Sequence, residues 1–182
     1  MCLWIKAGSA YENETNNGVS HFLEHMFFKG TKTRNAKEIA EAFDSIGGQV
    51  NAFTSKEYTC YYAKVLDNHA TYALNVLGDM FFNSVFDQEE LEKERNVVYE
   101  EIKMYEDAPD DIVHDLLSKA VYENNPLAYP ILGSETPGEL VSYFWLQSDL
   151  TEAHLWTVLD YFARNLTPLN VVTRAVDVPD GL

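Results

Sequence analysis

The stretch "GVSHFLEHMFFKG", residues 18–30, places His21, Glu24 and His25 among apolar side chains and predicts a helix over about residues 18–28. On such a helix His21 and His25 lie one turn apart on the same face, so that both imidazoles can bind one metal ion. Glu24 borders that face in the order H-x-x-E-H, the reverse of the commoner zinc-protease helix. The alternative is an amphipathic helix whose three ionisable groups only face water.

A third metal ligand has to come from elsewhere in the chain, because a catalytic zinc site uses three protein ligands and leaves a fourth position for water. The stretch "QEELEKERNVVYEEIKMYED", residues 88–107, predicts a long helix with apolar residues at helical spacing. Glu94 and Glu101 fall within this apolar stripe, two turns apart. A carboxylate on a core-facing stripe is costly unless it is paired or bound to metal. Periodicity therefore singles out these two glutamates as candidates.

The remaining chain mixes short β-rich stretches with separate helical stretches. Residues 49–55 and 57–66 are rich in Val, Thr, Tyr and Phe, which predicts two paired antiparallel strands. Other strands are predicted at residues 2–8 and 170–178, and other helices at residues 35–46, 68–86, 109–123 and 150–165. This mixture indicates an α+β fold.

Two finer predictions concern the helices. Asn16 or Asn17 precedes the first helix, and an asparagine there is a favoured N-cap because its side chain can accept a backbone hydrogen bond. In the helix at residues 68–86, helical spacing predicts that Tyr72, Val76 and Met80 face the core.

Composition limits the possible partners. The 182 residues are 46% hydrophobic, and 13 basic residues face 29 acidic ones for a net charge of −16. Phosphate binding needs a basic face, so we predict no nucleic-acid partner, whereas basic substrates would be attracted. No apolar run has the length of a membrane span, so we predict no membrane partner. No basic stretch followed by an apolar one opens the chain, which predicts no signal peptide.

Four stretches together carry a family resemblance: "WIKAGSAYE", "NNGVSHFLEHMFFKGT", "IGGQVNAFTSKEYTCYY" and "ERNVVYEEIKMYEDAPDD". The chain resembles the N-terminal catalytic half of the inverted zincins, the family of pitrilysin, insulin-degrading enzyme and mitochondrial processing peptidase. The resemblance is strong over residues 1–140, weak over residues 141–182, and best to bacterial members similar to the processing peptidase β subunit. It implies one peptidase domain over residues 1–182, with a mainly antiparallel sheet, helices packed on one face and an N-terminus truncated within the first strand.

The resemblance also implies roles for the candidate site residues. The family's third ligand lies about 76 residues after the second histidine, which is Glu101 here, so that His21, His25 and Glu101 would hold one Zn²⁺ per chain. The ion would lower the pKa of its water to about 7 and polarise the scissile carbonyl. Glu24 would act as the general base, passing the proton to the leaving amine. Glu94, one heptad before Glu101, would support the site from outside the ligand set.

The strand at residues 49–55 has two open interpretations. In the family, the matching strand lies at the edge of the sheet and pairs with the substrate backbone, which would make Asn51 and Ala52 substrate contacts by strand addition. In the alternative, this is an ordinary core-facing strand with Phe53 packed inward.

Two functions remain in competition. In the first, the chain is a zinc metalloendopeptidase domain that cleaves extended peptides and needs a homologous second half or a homo-oligomer for useful turnover. In the second, it is a catalytically silent peptide-binding or assembly half of a two-part peptidase. The bacterial character of "EEIKMYEDAPDD" favours a cytoplasmic location.

Overall fold

The computed structural model describes residues 1–133, and the helix predicted at residues 150–165, the strand at residues 170–178 and the weakly matching region 141–182 lie outside them. Three strands and five helices follow in chain order: β1 Cys2–Ile5, α1 Val19–Met26, α2 Ala36–Asp44, β2 Gln49–Thr54, β3 Thr59–Lys64, α3 Ala70–Phe82, α4 Gln88–Glu106 and α5 Pro109–Tyr122. The predicted α+β class is confirmed. None of the helices within residues 1–133 combines the length and apolarity that crossing a membrane requires.

The three strands form one antiparallel sheet in the order β1-β3-β2, so the predicted pairing of the second and third strands is confirmed. Successive side chains point to opposite faces of a strand. In β2, Ala52 is buried in the core, whereas its neighbour Phe53 is 41% exposed and makes an edge-to-face contact with Trp4 of β1. The alternative with Phe53 packed inward is therefore wrong. Among the described residues, β2 lies at an edge of the sheet.

The inner face of the sheet is covered by apolar side chains from the first three helices. Phe27, just after α1, contacts Tyr61 of β3 edge-to-face and stacks on Phe81 of α3. Val76 and Met80 of α3 are buried in the same region, as predicted. Tyr72, by contrast, is 44% exposed, so that part of the prediction is wrong. It lies in the first turn of α3, and helical spacing does not show how far along the helix the core extends.

A second apolar cluster joins α1 to α4. Phe22 and Met26 on α1 pack against Val98 and Ile102 on α4, and all four are buried. Helix α1 is therefore held between the sheet on one side and α4 on the other. This packing decides which residues of the two helices meet.

The helix starts differ in their capping. Helix α2 begins with a capping box in which the Asn35 side chain accepts from the Glu38 amide and the Glu38 side chain accepts from the Asn35 amide. The N-cap residue of α1 is instead Gly18, which has φ +93° and no side chain that could accept a hydrogen bond. The predicted asparagine cap is wrong, because the Glu12 carboxylate accepts the hydrogen bonds of the Gly18 and Ser20 amides.

A buried carboxylate, Asp79 of α3, holds the loop that follows α1. It accepts hydrogen bonds from Thr31, Thr33 and Asn83 and forms an ion pair with Arg34. Burial raises the pKa of Asp79, but these hydrogen bonds outweigh burial and hold the pKa below its ordinary value. The loop between α1 and α2 is thereby tied to α3.

Candidate metal centre

The packing of α1 against α4 brings together the three side chains for which a metal role is predicted. The Nε2 atoms of His21 and His25 lie 3.2 Å apart. Glu101 Oε2 lies 3.8 Å from His21 Nε2 and 3.5 Å from His25 Nε2. One ligand atom of each residue lies within 4.8 Å of the others, the arrangement of a group that could hold a metal ion. The Glu101 side chain is 44% exposed, so it borders the cleft and is not sealed in the core.

These distances fit one tetrahedral ion. Bonds of about 2.1 Å at tetrahedral angles separate two ligand atoms by roughly 3.4 Å. The separation of the two Nε2 atoms, 3.2 Å, is close to that value, and the carboxylate oxygen is within a few tenths of an ångström of it. Two imidazoles and one carboxylate are also a donor set that zinc takes in catalytic sites, with one position left for water.

Glu94 contacts the ring of His25 from the side away from the three ligand atoms. It is 4% exposed, and its Oε1 lies 2.8 Å from His25 Nδ1. Donation of Nδ1–H to this carboxylate leaves the Nε2 lone pair free to face a metal. The Lys29 ammonium forms an ion pair with the other oxygen of Glu94, which compensates the buried negative charge.

His21 is held in its neutral form. Burial, with a smaller contribution from the nearby His25, lowers the pKa of His21 from 6.5 to about 4. A neutral imidazole is the form that donates a lone pair to a metal. Near neutral pH this side chain is therefore ready to bind without first losing a proton.

Glu24 lies beside the three ligand atoms without belonging to their group. Its Oε2 accepts a hydrogen bond from Thr54 Oγ1 of β2 at 2.5 Å. Burial raises the pKa of Glu24, while the Thr54 hydrogen bond and the charge of His25 act in the opposite direction. The net effect is a raised pKa, which makes this carboxylate a stronger proton acceptor than an exposed glutamate.

A cleft of about 610 Å³ opens onto these groups. His21, Glu24 and Glu101 form part of its lining, and the rest includes residues of β2, α4, α5 and the segment after α5, among them Ala52, Thr54, Tyr105, Asp111, Asp115 and Leu132. The lining therefore contains both apolar surface and several carboxylates. The volume of this cleft lies within the range of ligand-binding pockets.

The two predicted substrate contacts occupy different faces of β2. Ala52 is buried and lines the cleft, whereas Asn51 is exposed and faces the other side of the sheet beside Tyr62. Asn51 Oδ1 accepts a hydrogen bond from the Ala52 amide at 2.8 Å. This amide therefore has a local partner at the sheet edge.

Sequence reasoning missed three residues that contact the site or its helix: Lys29, Thr54 and Glu12. Lys29 sits one turn after His25, and that helical spacing was a usable signal for a cation near the site. Thr54 and Glu12 reach α1 from other elements, so no local periodicity in the sequence points to them.

Most of the chain is similar to known proteins. Residues 1–135 match the family described as insulinase, peptidase family M16. The uncharacterized zinc protease YmxG of Bacillus subtilis is 76% identical over 133 residues, which cover 73% of this chain and 32% of the relative. An uncharacterized zinc protease of Rickettsia felis is 46% identical over 166 residues, covering 90% of this chain and 38% of the relative. The chain thus spans about a third of the length of the curated relatives it matches.

Two solved structures share the fold. A protease from Helicobacter pylori superposes with a TM-score of 0.72 at 22% identity, covering 98% of this chain and 47% of that one. A peptidase M16 inactive domain from Pseudomonas fluorescens superposes with a TM-score of 0.67 at 19% identity, covering 78% of this chain and 36% of that one. The match over residues 1–135 and the identity to zinc proteases show that the chain belongs to peptidase family M16, the insulinase family.

Proposed function

We propose that this chain forms a zinc-dependent metalloendopeptidase domain that hydrolyses peptide bonds in extended peptides. The observation that carries the proposal is the convergence of His21 Nε2, His25 Nε2 and Glu101 Oε2 within 4.8 Å, with the Glu24 carboxylate beside them on the cleft. The relatives are named zinc proteases, which supports the same conclusion.

The three ligand residues would hold one Zn²⁺ per chain. When bound, zinc supplies Lewis acidity, lowering the pKa of a water and polarising a carbonyl. Glu24 accepts the proton of the attacking water and delivers it to the leaving amine, and its raised pKa suits both transfers. Thr54 holds the Glu24 carboxylate in place, and Glu94 keeps the His25 ring in the metal-binding tautomer.

The edge of β2 is the proposed docking site for the peptide backbone. An extended peptide can add to an exposed sheet edge by main-chain hydrogen bonds. In the free protein the Ala52 amide donates a hydrogen bond to Asn51 Oδ1. With peptide bound, it would donate to a carbonyl of the peptide instead. Asn51 and Ala52 are therefore proposed substrate contacts. The peptide would displace the Asn51 side chain and would bind Ala52 through its backbone amide.

The charge of the cleft favours peptides with basic residues. Glu101, Asp111 and Asp115 all contribute to its lining, and the whole chain carries a net charge of −16. Asp115 is partly compensated, because Lys56 Nζ lies 3.7 Å from its Oδ1. A peptide with lysine or arginine near the scissile bond would gain attraction on approach and after binding.

A second candidate function is a catalytically silent peptide-binding or assembly half. It is favoured by the similar fold of the Pseudomonas fluorescens domain described as inactive. A homologous second half or a further copy of the chain would then complete the cleft.

One experiment separates these functions. Wild type, Glu24→Gln and the surface control Glu41→Gln are analysed for bound zinc and for cleavage of a library of fluorogenic peptides. The peptidase proposal expects about one zinc per chain in all three and loss of cleavage only in Glu24→Gln, because that change removes the base and keeps the ligands. Zinc without cleavage in wild type supports the silent half. A wild type that binds no zinc refutes the metal site.

A further inference from the structure

Glu12 is a buried carboxylate outside the metal centre. It is 3% exposed, and among residues 1–133 no lysine, arginine or histidine forms an ion pair with it. Burying a charge without an opposite charge is costly unless strong hydrogen bonds replace its hydration. Its position therefore calls for a specific set of donors.

Those donors lie at the start of α1. Glu12 Oε2 accepts from the Gly18 amide at 2.7 Å and from Asn17 Nδ2 at 3.1 Å, and Oε1 accepts from the Ser20 amide at 2.8 Å. The first amides of a helix have no partner within the helix, and its N-terminus carries a partial positive charge. Glu12 therefore acts as the cap that α1 does not receive from its own N-cap residue.

The capped turn contains the first metal ligand. His21 directly follows Ser20, whose amide Glu12 holds. His25 is fixed further along the helix by Glu94, whereas Nδ1 of His21 has no hydrogen-bond partner among the described residues. Within the described part of the chain, no hydrogen bond at Nδ1 anchors the buried ring of His21, so its position depends on the packing around it and on the backbone of the first turn.

The same carboxylate is linked to the wall of the cleft. Asn17 Nδ2, which donates to Glu12, also donates to the carbonyl of Pro130 at 2.9 Å. Leu132, two residues later, lines the cleft. Its carbonyl approaches Gly18 so closely that a Cβ there would lie 2.8 Å from it. The segment after α5 therefore rests on the capped start of α1.

We propose that Glu12 is a positioning residue that sets the place of His21 relative to Glu101 and, through Asn17, the place of the cleft wall at residues 130–132. The inference rests on the proposed zinc site. Without the carboxylate, the backbone amides of Gly18 and Ser20 lose their hydrogen-bond acceptors, and the His21 ring moves away from its partners.

The test compares zinc affinity in folded variants. Glu12→Gln keeps the shape of the side chain but turns one acceptor oxygen into a donor. The matched control is Asn35→Ala, which removes the N-cap of α2, a helix without a candidate ligand. Zinc dissociation constants come from competition with a chromophoric chelator, and circular dichroism reports folding. We expect Glu12→Gln to weaken zinc binding about 10-fold, the lower end of what outer contacts of metal ligands cost, and Asn35→Ala to leave it within twofold.

Two further variants complete the test. Glu12→Asp keeps the charge but cannot span both amides, and it replaces Glu12→Gln if that variant does not fold. Asn17→Ala keeps both hydrogen bonds from backbone amides to Glu12, so we expect unchanged zinc affinity. It removes the contact with the Pro130 carbonyl, so we expect faster hydrogen exchange at the bonded amides of Ala128 and Tyr129. If the Glu12 variants bind zinc as tightly as Asn35→Ala does, the inference is overturned but the proposed zinc site is not. Absence of zinc binding in wild type overturns the site and the inference together.

Discussion

Replacing Glu94 by glutamine probes the contact that orients His25. Glu94 is buried on α4, its Oε1 lies 2.8 Å from His25 Nδ1, and its other oxygen pairs with Lys29. A glutamine can still accept a hydrogen bond from Nδ1–H, but it is neutral. The imidazole then becomes a weaker metal ligand, and the Lys29 ammonium loses its anionic partner.

The expected size of the effect follows from these two contacts. Changes in the residues that hydrogen-bond a metal-bound histidine cost about 10- to 100-fold in metal affinity. That range corresponds to about 1.4 to 2.8 kcal/mol in the free energy of zinc binding. The replaced contact is direct, and the Glu94 side chain that makes it is buried, so we expect the upper half of the range. The variant should also unfold at a lower temperature, because Lys29 keeps a charge without its partner.

The measurement is the zinc dissociation constant of purified protein, by competition with a chelator of known affinity. The control is Glu100→Gln, which removes the same charge from the same helix at an exposed residue whose ion pair with Lys103 is also exposed. Exposed pairs of this kind contribute little, so Glu100→Gln should bind zinc like wild type. Equal affinities in Glu94→Gln and Glu100→Gln would refute the orienting role of Glu94.

Three other outcomes are expected. Glu101→Ala removes one of three ligands and should weaken zinc binding by at least 100-fold, whereas Glu92→Ala should not; equal zinc retention in a dialysis assay would contradict the ligand assignment. Asp79→Asn should lower the free energy of unfolding in urea by about 2 to 4 kcal/mol at pH 7, since it breaks a partly buried pair with Arg34 and removes the charged acceptor of Thr31 and Thr33. Because the folded state lowers the pKa of Asp79, its stabilisation is present above the ordinary value of 3.8 and lost as pH falls through the lower folded value. The two unfolding curves should therefore converge in acid, and a constant difference would contradict the pKa shift. Asp111→Asn should lower kcat/KM several-fold for a peptide with arginine near the scissile bond but not for its norleucine analogue; equal losses for both peptides would show that charge is not the cause.

Much of the fold could be predicted from the order of residue types. Their content of Val, Thr, Tyr and Phe located β2 and β3, and helical spacing located α1 and α4, because both signals arise from preferences of a few neighbouring residues. The predictions that failed concerned where an element meets its surroundings. Whether Tyr72 is exposed, and whether Asn16 or Asn17 caps α1, depends on contacts made by other parts of the chain.

The candidate site shows the same division. Placing His21, Glu24 and His25 together needed only the pitch of one helix, and the stripe of α4 that carries Glu94 and Glu101 needed only its apolar periodicity. Periodicity does not tell which glutamate approaches the histidine Nε2 atoms and which one contacts the far side of His25. Without the structure, only the spacing known from the family assigns these two roles. In the structure, the contact of Phe22 and Met26 with Val98 and Ile102 sets the relation of the two helices.

The sequence by itself thus determined the elements, the face of each helix that carries ionisable groups, and the chemistry those groups can perform. Only the tertiary structure decided that Thr54 holds Glu24, that Lys29 compensates Glu94, and that Glu12 caps the helix of the histidines. The physical reason is the range of the forces involved. Secondary structure follows from dihedral preferences and local spacing, whereas these contacts join residues from separate elements and exist only after the apolar core has set the helices against the sheet.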